Sequence, residues 1–586
     1  MRKWKQIAGL LLAGLLAAGT ALSAFAAAEQ PVTIRIGRQA ATFAAAAEDG
    51  TGDAAAVQRT YVGYRLLNLK TTEAADGRTN YDYTVNEKYL AVMQEAVFED
   101  WKNWTGEGKP NAEPSKYNDI TPDQILQYLS DQSSDAADGT RGSVHTFGEA
   151  VRKKIEAQKI QSDATSVNGT FKNQEQGYWL ILDTTDLSGK DEANSLIILE
   201  TKGQTDITVE PKMSVPTVDK DVLDLDTGDW AEDGSADYNI GDEVTFQLTG
   251  TVADYYDAYE TYYYAFHDTL KGLKFNQDSL KVTIDGTEIE KGNETYQVRT
   301  SPEDGCSFHV IFLDLKKIAS VTADSKIVVT YTAKLLADAA IGNPGNPNEV
   351  HLEFSNNPYD ENDHGNTLPD EVRVFTFELD ITKVDKSSQK PDYARPNVPD
   401  GYNTKLQGAE FVLYRFEKDD SGKDTKQYVK VDNNGKVIDW TPEITGEDGK
   451  DPYPTEAILT SNKDGRIQIT GLEAGQYFLK EIKAPDGYNL LKDDISIMID
   501  ADYTVNEQGQ QEVSDLTINV NGGSDAIQGD PATGIVQLVV ENSSGVQLPE
   551  TGGMGTTLLY IFGGILIVGA GTLLIVKRRR EDEKES

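Results

Sequence analysis

Three polar residues fall where an alternating strand pattern otherwise puts apolar ones. Phe377, Leu379, Ile381 and Lys383 share one face of an expected strand, because strand side chains alternate with period two. Val536, Leu538, Val540 and Asn542 share a face near the other end of the same region, and Tyr477, Leu479 and Glu481 make a third inward set. A buried amine, carboxyl and carboxamide are costly unless something resolves the charge. One resolution is an ordinary Lys–Glu ion pair at a strand end. The other is chemical. Burial lowers a lysine pKa and raises a glutamate pKa, which favours a neutral amine beside a protonated acid. The acid then polarises the Asn carboxamide while the amine attacks and ammonia leaves. The product is a Lys383–Asn542 isopeptide crosslink with no buried charge, and Glu481 is its acid–base catalyst.

A second set repeats the pattern less cleanly. Val218, Lys220 and Val222 share a face, which makes Lys220 the nucleophile candidate. Tyr262, Tyr264, Phe266 and Asp268 alternate in the same way, with Asp268 as the acid. Asn348, Val350, Leu352, Phe354 and Asn356 all lie on one face, so parity does not choose between the two asparagines. Asn348, at the N-x-V-x-L start of the strand, is favoured over Asn356. The competing reading is a set of solvated polar residues at sheet ends. One further lysine points the other way: Ile207 and Val209 alternate inward, while Thr208, Glu210 and Lys212 face out. Lys212 is an exposed amine beside a φ-restricting proline, Pro211, or simply one of many surface lysines.

The elements that position these groups divide the chain. Residues 30–212 read as mixed α+β. Tyr89, Leu90, Met93, Val97, Trp101 and Trp104 recur at helical spacing, and Thr121-Pro122 ahead of Ile125, Leu126 and Leu129 is an N-cap with proline at the first helical position. Strands are expected over residues 61–69, 178–182 and 196–200. Residues 213–377 and 378–546 read as all-β, short alternating segments between Asp, Gly, Asn and Pro turns, as sandwiches require. The fold class is mainly β, with tandem immunoglobulin-like sandwiches after an α+β domain.

Composition bounds the function. The chain has 586 residues, 55 Lys and Arg against 96 Asp and Glu, and a formal net charge of −41. The length suits three or four domains, and the acidity excludes nucleic acid as a partner. The one cysteine, Cys306, rules out an intramolecular disulfide framework and reads as an inert thiol. The five histidines leave little for a His-rich metal site, and no cofactor or metal is expected. No nucleophile elbow, HExxH or His-based triad supports a turnover enzyme. At the N-terminus Arg2, Lys3 and Lys5 precede an apolar run over residues 7–22 and an A-x-A step at Ala24 and Ala26, a secretory signal peptide ending between Ala26 and Ala28. At the C-terminus Leu548, Pro549, Glu550, Thr551 and Gly552 precede an apolar run over residues 558–576, long enough to span a bilayer, then Lys577, Arg578, Arg579 and Arg580. Processing at both ends removes more basic than acidic residues, so the mature chain is more acidic still.

The tail at 548–586 resembles the cell-wall sorting signal of Gram-positive surface proteins, whose LPXTG motif is cut by sortase between Thr and Gly. Tyr477, Leu479, Glu481, Ala484, Pro485, Gly487 and Tyr488 resemble the E-box of Gram-positive pilins, YxLxExxAPxGY. Leu406, Gly408, Ala409, Glu410 and Phe411, with the closing Asn542, resemble the collagen-adhesin B-type domain. That resemblance implies a Lys383–Asn542 bond with Glu481 as catalyst. Phe266, Asp268, Leu270, Gly272 and Leu273 resemble the acid-bearing segment of backbone-pilin middle domains. Residues 203–212 resemble the pilin motif WxxxVxVYPK, whose lysine is the sortase acceptor, although Gly203 replaces the Trp and Glu210 the Tyr. The resemblance implies Lys212 as acceptor, with Lys202 and Lys220 as rivals. The expected function is the structural backbone subunit of a sortase-assembled pilus, secreted and anchored to peptidoglycan. Its partners are further copies of itself, a pilin sortase, a housekeeping sortase and ancillary pilins. The alternative is a monomeric wall-anchored adhesin for a host matrix or glycan ligand.

Overall fold

The computed structural model describes residues 30–37 and 57–545, except 75, 135–141, 212–213, 226, 391–397, 419–421, 443–452 and 524. The expected signal peptide, Lys212, the LPXTG pentapeptide and the apolar run 558–576 lie outside the described residues. Among the described residues no helix is long and apolar enough to cross a membrane.

The first unit joins a helical layer to two small sheets. Strands Thr79–Val85, Thr60–Glu73, Gly177–Asp183 and Leu196–Glu200 lie in that order, with Ala164–Val167 also on Thr60–Glu73. Helices Leu90–Asp100, Pro122–Ser130 and Ser143–Ala157 cover one face of this sheet. Edge-to-face contacts of Trp104 with Trp101 and Tyr128, at 5.2 and 5.3 Å, fill that core. The expected N-cap forms a full capping box between Thr121 and Gln124. Helix Ser143–Ala157 is a finding that the apolar spacing did not suggest. Its buried face runs through His145, Gly148 and Arg152 as well as Phe147, Val151 and Ile155. Gly148 lets the helix approach the sheet closely: a Cβ there would come within 2.5 Å of Ile198 Cδ1 and displace that side chain. The sheet's other face packs on Thr170–Gln174, Val32–Ile36 and Asp206–Val209, the last two running parallel.

The next unit is a two-sheet sandwich. One sheet runs Thr287–Ile289, Leu273–Ile284, Lys326–Leu335, Glu243–Thr251, Val218–Val222. The other runs Ser235–Asp237, Asp370–Phe375, Asn346–Ser355, Tyr264–Leu270, Phe308–Phe312, Gln297–Thr300. Glu243–Thr251 alternates buried and half-buried residues along its length, as a sheet with one wet face does. Phe308–Phe312 is buried at every position, so its outer face is covered as well.

The last unit sets a three-stranded sheet against an eight-stranded one. Phe377–Asp385 sits at the centre of the small sheet, antiparallel to Arg466–Leu472 and parallel to Ile535–Asn542. The first and last strands of this unit are therefore neighbours. Gly475–Lys483 lies in the facing sheet, and the core fills the space between them.

Candidate crosslinking sites

The parallel register decides which groups meet in the last unit. Lys383 is opposite Val540, and Asn542 is opposite Asp385, so the amine and the carboxamide are diagonal neighbours on the inner face. Glu481 comes from the facing sheet. Lys383 Nζ donates to Asn542 Oδ1 and lies 3.1 Å from Glu481 Oε1. Asn542 Nδ2 donates to Glu481 Oε1 and Oε2 at 3.0 and 3.2 Å, and the Leu491 N–H donates to Oε2 at 2.8 Å. The Lys383 and Glu481 side chains are both 0% exposed, and the Phe411 ring lies 5.2 Å from Nζ. Burial pushes the Lys383 amine down to about 8, against the opposing pull of Glu481. Part of the amine is thereby neutral at a pH where an exposed lysine is fully charged. A neutral amine, a carboxamide and a carboxyl in mutual hydrogen-bond reach are the parts an amide exchange needs.

The sandwich unit assembles a second cluster with different geometry. Lys220 reaches across from one sheet, while Asp268 and Asn348 stand on adjacent strands of the other. Lys220 Nζ donates to Asp268 Oδ2 at 2.5 Å. Tyr331, on the lysine's own sheet, links the three. Its hydroxyl donates to Asp268 Oδ2 at 2.9 Å and accepts from Lys220 Nζ at 3.2 Å and Asn348 Nδ2 at 2.8 Å. Asp268 Oδ1 and Asn348 Oδ1 are buried without a hydrogen-bond partner. Burial pushes the Lys220 amine down and the Asp268 carboxyl up, and it raises the Tyr331 hydroxyl far above its ordinary value. All three shifts favour the uncharged forms.

Asn356 is not part of this cluster. It lies just past the far end of strand Asn346–Ser355, where its Nδ2 donates to Leu187 O at 2.7 Å and Glu192 O at 3.1 Å of the first unit. Lys220 is buried, with its amine inside the sandwich, whereas half of the Lys202 side chain is exposed. Sequence reasoning missed Tyr331. The signal was present, since Ile327, Val329, Tyr331 and Ala333 share an inward face and put a hydroxyl among apolar groups. It also missed the gathering of four of the five histidines on one sheet, since their sequence positions share no local spacing.

Three family models match the chain. A Gram-positive pilin backbone subunit 2, Cna-B-like domain covers residues 240–358, a SpaA prealbumin-like fold domain covers 399–512, and an LPXTG cell wall anchor motif covers 540–583. Among curated proteins, the trypsin-resistant surface T6 protein of Streptococcus pyogenes serotype M6 is 24% identical over 442 residues, 64% of this chain and 71% of that protein. Fimbrial subunit type 2 of Actinomyces naeslundii is 25% identical over 374 residues, 59% of each chain. The solved three-domain T6 backbone pilin of S. pyogenes matches 88% of this chain and 98% of its own, with 17% identity and a TM-score of 0.44. A backbone-subunit domain, a prealbumin-like domain and a wall-anchor motif, carried in that order on one chain, make this protein similar to the cell-wall-anchored backbone pilins of Gram-positive bacteria.

Proposed function

We propose that this chain is the shaft subunit of a covalent, sortase-assembled pilus and that each of its two all-β units closes its own Lys–Asn isopeptide bond. The observation that carries the second half is the pair of fully buried amine–carboxyl–carboxamide clusters. In each, the neutral lysine Nζ attacks the asparagine Cγ, and the acid protonates the departing Nδ2. Ammonia leaves, and an amide joins Lys383 to Asn542 and Lys220 to Asn348. Glu481 and Asp268 carry the proton, and Tyr331 holds the second set in register. The chain is a self-crosslinker and an enzyme's substrate; it turns nothing over.

In the assembly step a pilin sortase transfers the Thr551 carbonyl carbon to Lys212 Nζ of the next subunit, releasing Gly552 and the tail. Repeating a head-to-tail contact that does not close on itself builds a filament. Lys220 is unsuited to that acceptor role because its amine is buried, which leaves Lys212, with Lys202 as the exposed rival. A housekeeping sortase then joins the base of the polymer to peptidoglycan, and ancillary pilins decorate it.

Intact-mass measurement tests the crosslinks: the mature chain should weigh two ammonia molecules less than its sequence. A mass equal to the sequence would remove the central chemistry. Polymerisation is read separately, as a high-mass ladder that survives boiling in detergent. Lys212→Ala should abolish the ladder, and Lys202→Ala should leave it intact. A wild-type chain found only as a wall-linked monomer would favour the adhesin reading.

A further inference from the structure

The outer face of the sheet that carries Tyr264–Leu270, directly behind Asp268, holds a second cluster of chemistry-bearing side chains. On the strand Tyr264–Leu270, Asp268 points into the sandwich, so its neighbour His267 points out. Register places His309 opposite His267 on one side and His351 opposite it on the other. The His267 ring centroid lies 3.8 Å from that of His309 and 4.8 Å from that of His351. The loop over residues 301–307 folds across this row and brings Asp304 and Cys306 onto it. Asp304 Oδ1 accepts from the Cys306 N–H at 3.1 Å, which turns Oδ2 toward the imidazoles, 3.3 Å from His267 Nδ1 and 2.9 Å from His309 Nε2. Cys306 Sγ lies 4.0 Å from His267 Nδ1. One donor atom from each of His267, Asp304, Cys306 and His309 falls within 4.8 Å of all the others.

Two further observations point to a ligand here. His309 is 4% exposed, and its Nε2 is buried without a hydrogen bond of acceptable geometry, despite its nearness to Asp304. An orphaned buried nitrogen aimed at three other donors is the orientation a cation resolves. His267 also has its second nitrogen tied: Nε2 lies 3.0 Å from Glu353 Oε2, and Glu353 Oε1 is held by His364 Nδ1 at 2.9 Å. A carboxylate behind the remote ring nitrogen is the arrangement that orients metal-bound histidines and fixes the tautomer with a free Nδ1 lone pair.

We propose that His267, His309, Cys306 and Asp304 form a four-donor transition-metal site, suited to Zn2+. Two imidazoles, a thiolate and a carboxylate match the N, S and O ligands of tetrahedral zinc, and the sulfur and nitrogen donors disfavour Ca2+ and Mg2+. Binding releases the Cys306 thiol proton to solvent as the thiolate–metal bond forms. The ion clips loop 301–307 to the sheet. Ser307, next to Cys306, donates its N–H to Asp268 O at 2.7 Å, so the clip also fixes the peptide that carries the acid of the Lys220 cluster. This inference does not rest on the isopeptide reading.

Co2+ titration of the chelator-stripped full-length chain tests it. The expected result is one equivalent bound, with the visible bands of four-coordinate cobalt and a thiolate-to-cobalt charge-transfer band, both erased by Zn2+. Cys306→Ser, at a half-buried loop position, should fold and lose the charge-transfer band. Glu353→Gln should weaken binding by about 10- to 100-fold. Absence of saturable cobalt binding, a spectrum lacking the charge-transfer band, or a band that survives Cys306→Ser would each overturn the proposal. Thermal melting provides an independent readout: Zn2+ should raise Tm in the wild type and fail to do so in Asp304→Asn with Cys306→Ser.

Discussion

At the residue scale, each proposed crosslink depends on one proton carrier. Glu481→Gln keeps the shape of the carboxyl but loses its proton chemistry. We expect that chain to weigh one ammonia less than its own sequence where the wild type weighs two less, and Lys383 to remain a free amine. The missing bond spans almost the whole last unit, for which the loop-entropy relation gives about 5 kcal/mol. The unit's Tm should therefore fall by about 10–20 °C in calorimetry. Tyr331→Phe tests the other cluster. It removes the hydroxyl that joins Lys220, Asp268 and Asn348 and takes from the buried Asn348 Nδ2 its acceptor, a cost of about 1–3 kcal/mol. A partly crosslinked population, seen as two masses, is the expected outcome. The third expectation concerns pH. Lys383 is pushed down to about 8 from 10.5 by burial, so the unfolded chain keeps a proton that the folded chain has shed. In Asn542→Ala, where the amine stays unreacted, stability should rise with pH between about 8 and 10.5. Denaturant midpoints across that window measure it, and a fall over the same range would contradict the neutral amine.

At the element scale, what matters is which strand ends meet. Asn356 and Asn348 begin as equals because a strand repeats its facing every two residues. The sandwich separates them: one end of strand Asn346–Ser355 abuts Tyr331, and the other abuts the loop holding Leu187 and Glu192. Asn356→Ala should leave the ammonia count unchanged while loosening the junction between the first two units, by about 1–3 kcal/mol for the two hydrogen bonds lost. Peptide mapping together with calorimetry separates the outcomes, and one regained ammonia would make Asn356 the acceptor. The junction between the second and third units is held in a similar way. Asn343 Nδ2 donates to Val513 O at 3.0 Å, the Val513 N–H donates back to Oδ1 at 2.8 Å, and the Tyr503 hydroxyl donates to Asp237 Oδ2 at 2.6 Å.

At the scale of the whole molecule, the proposed crosslinks would answer a mechanical problem. A pilus shaft bears tension along its length, and a bond between neighbouring first and last strands carries that tension past the sandwich. In the last unit those strands are adjacent and parallel, so a pull at opposite ends would load the proposed Lys383–Asn542 bond before the ladder between them. A chain with both Glu481→Gln and Asp268→Asn should be cut by trypsin within its β units under conditions where the wild type remains intact. Limited proteolysis read by mass checks this.

The sequence by itself showed which polar side chains fall on apolar strand faces. Strand alternation is local, so a lysine, glutamate or asparagine on an apolar face is visible without a partner in view; Lys383, Glu481 and Asn542 were legible for that reason. Helix Ser143–Ala157 was not, because its buried face includes His145, Gly148 and Arg152, which interrupt the apolar spacing. Which groups touch was decided by the tertiary structure alone, since contact depends on register between strands far apart in the chain. Register put Tyr331 into the Lys220 cluster, sent Asn356 to a domain junction, and set His309 beside His267, while a loop brought Cys306 onto them.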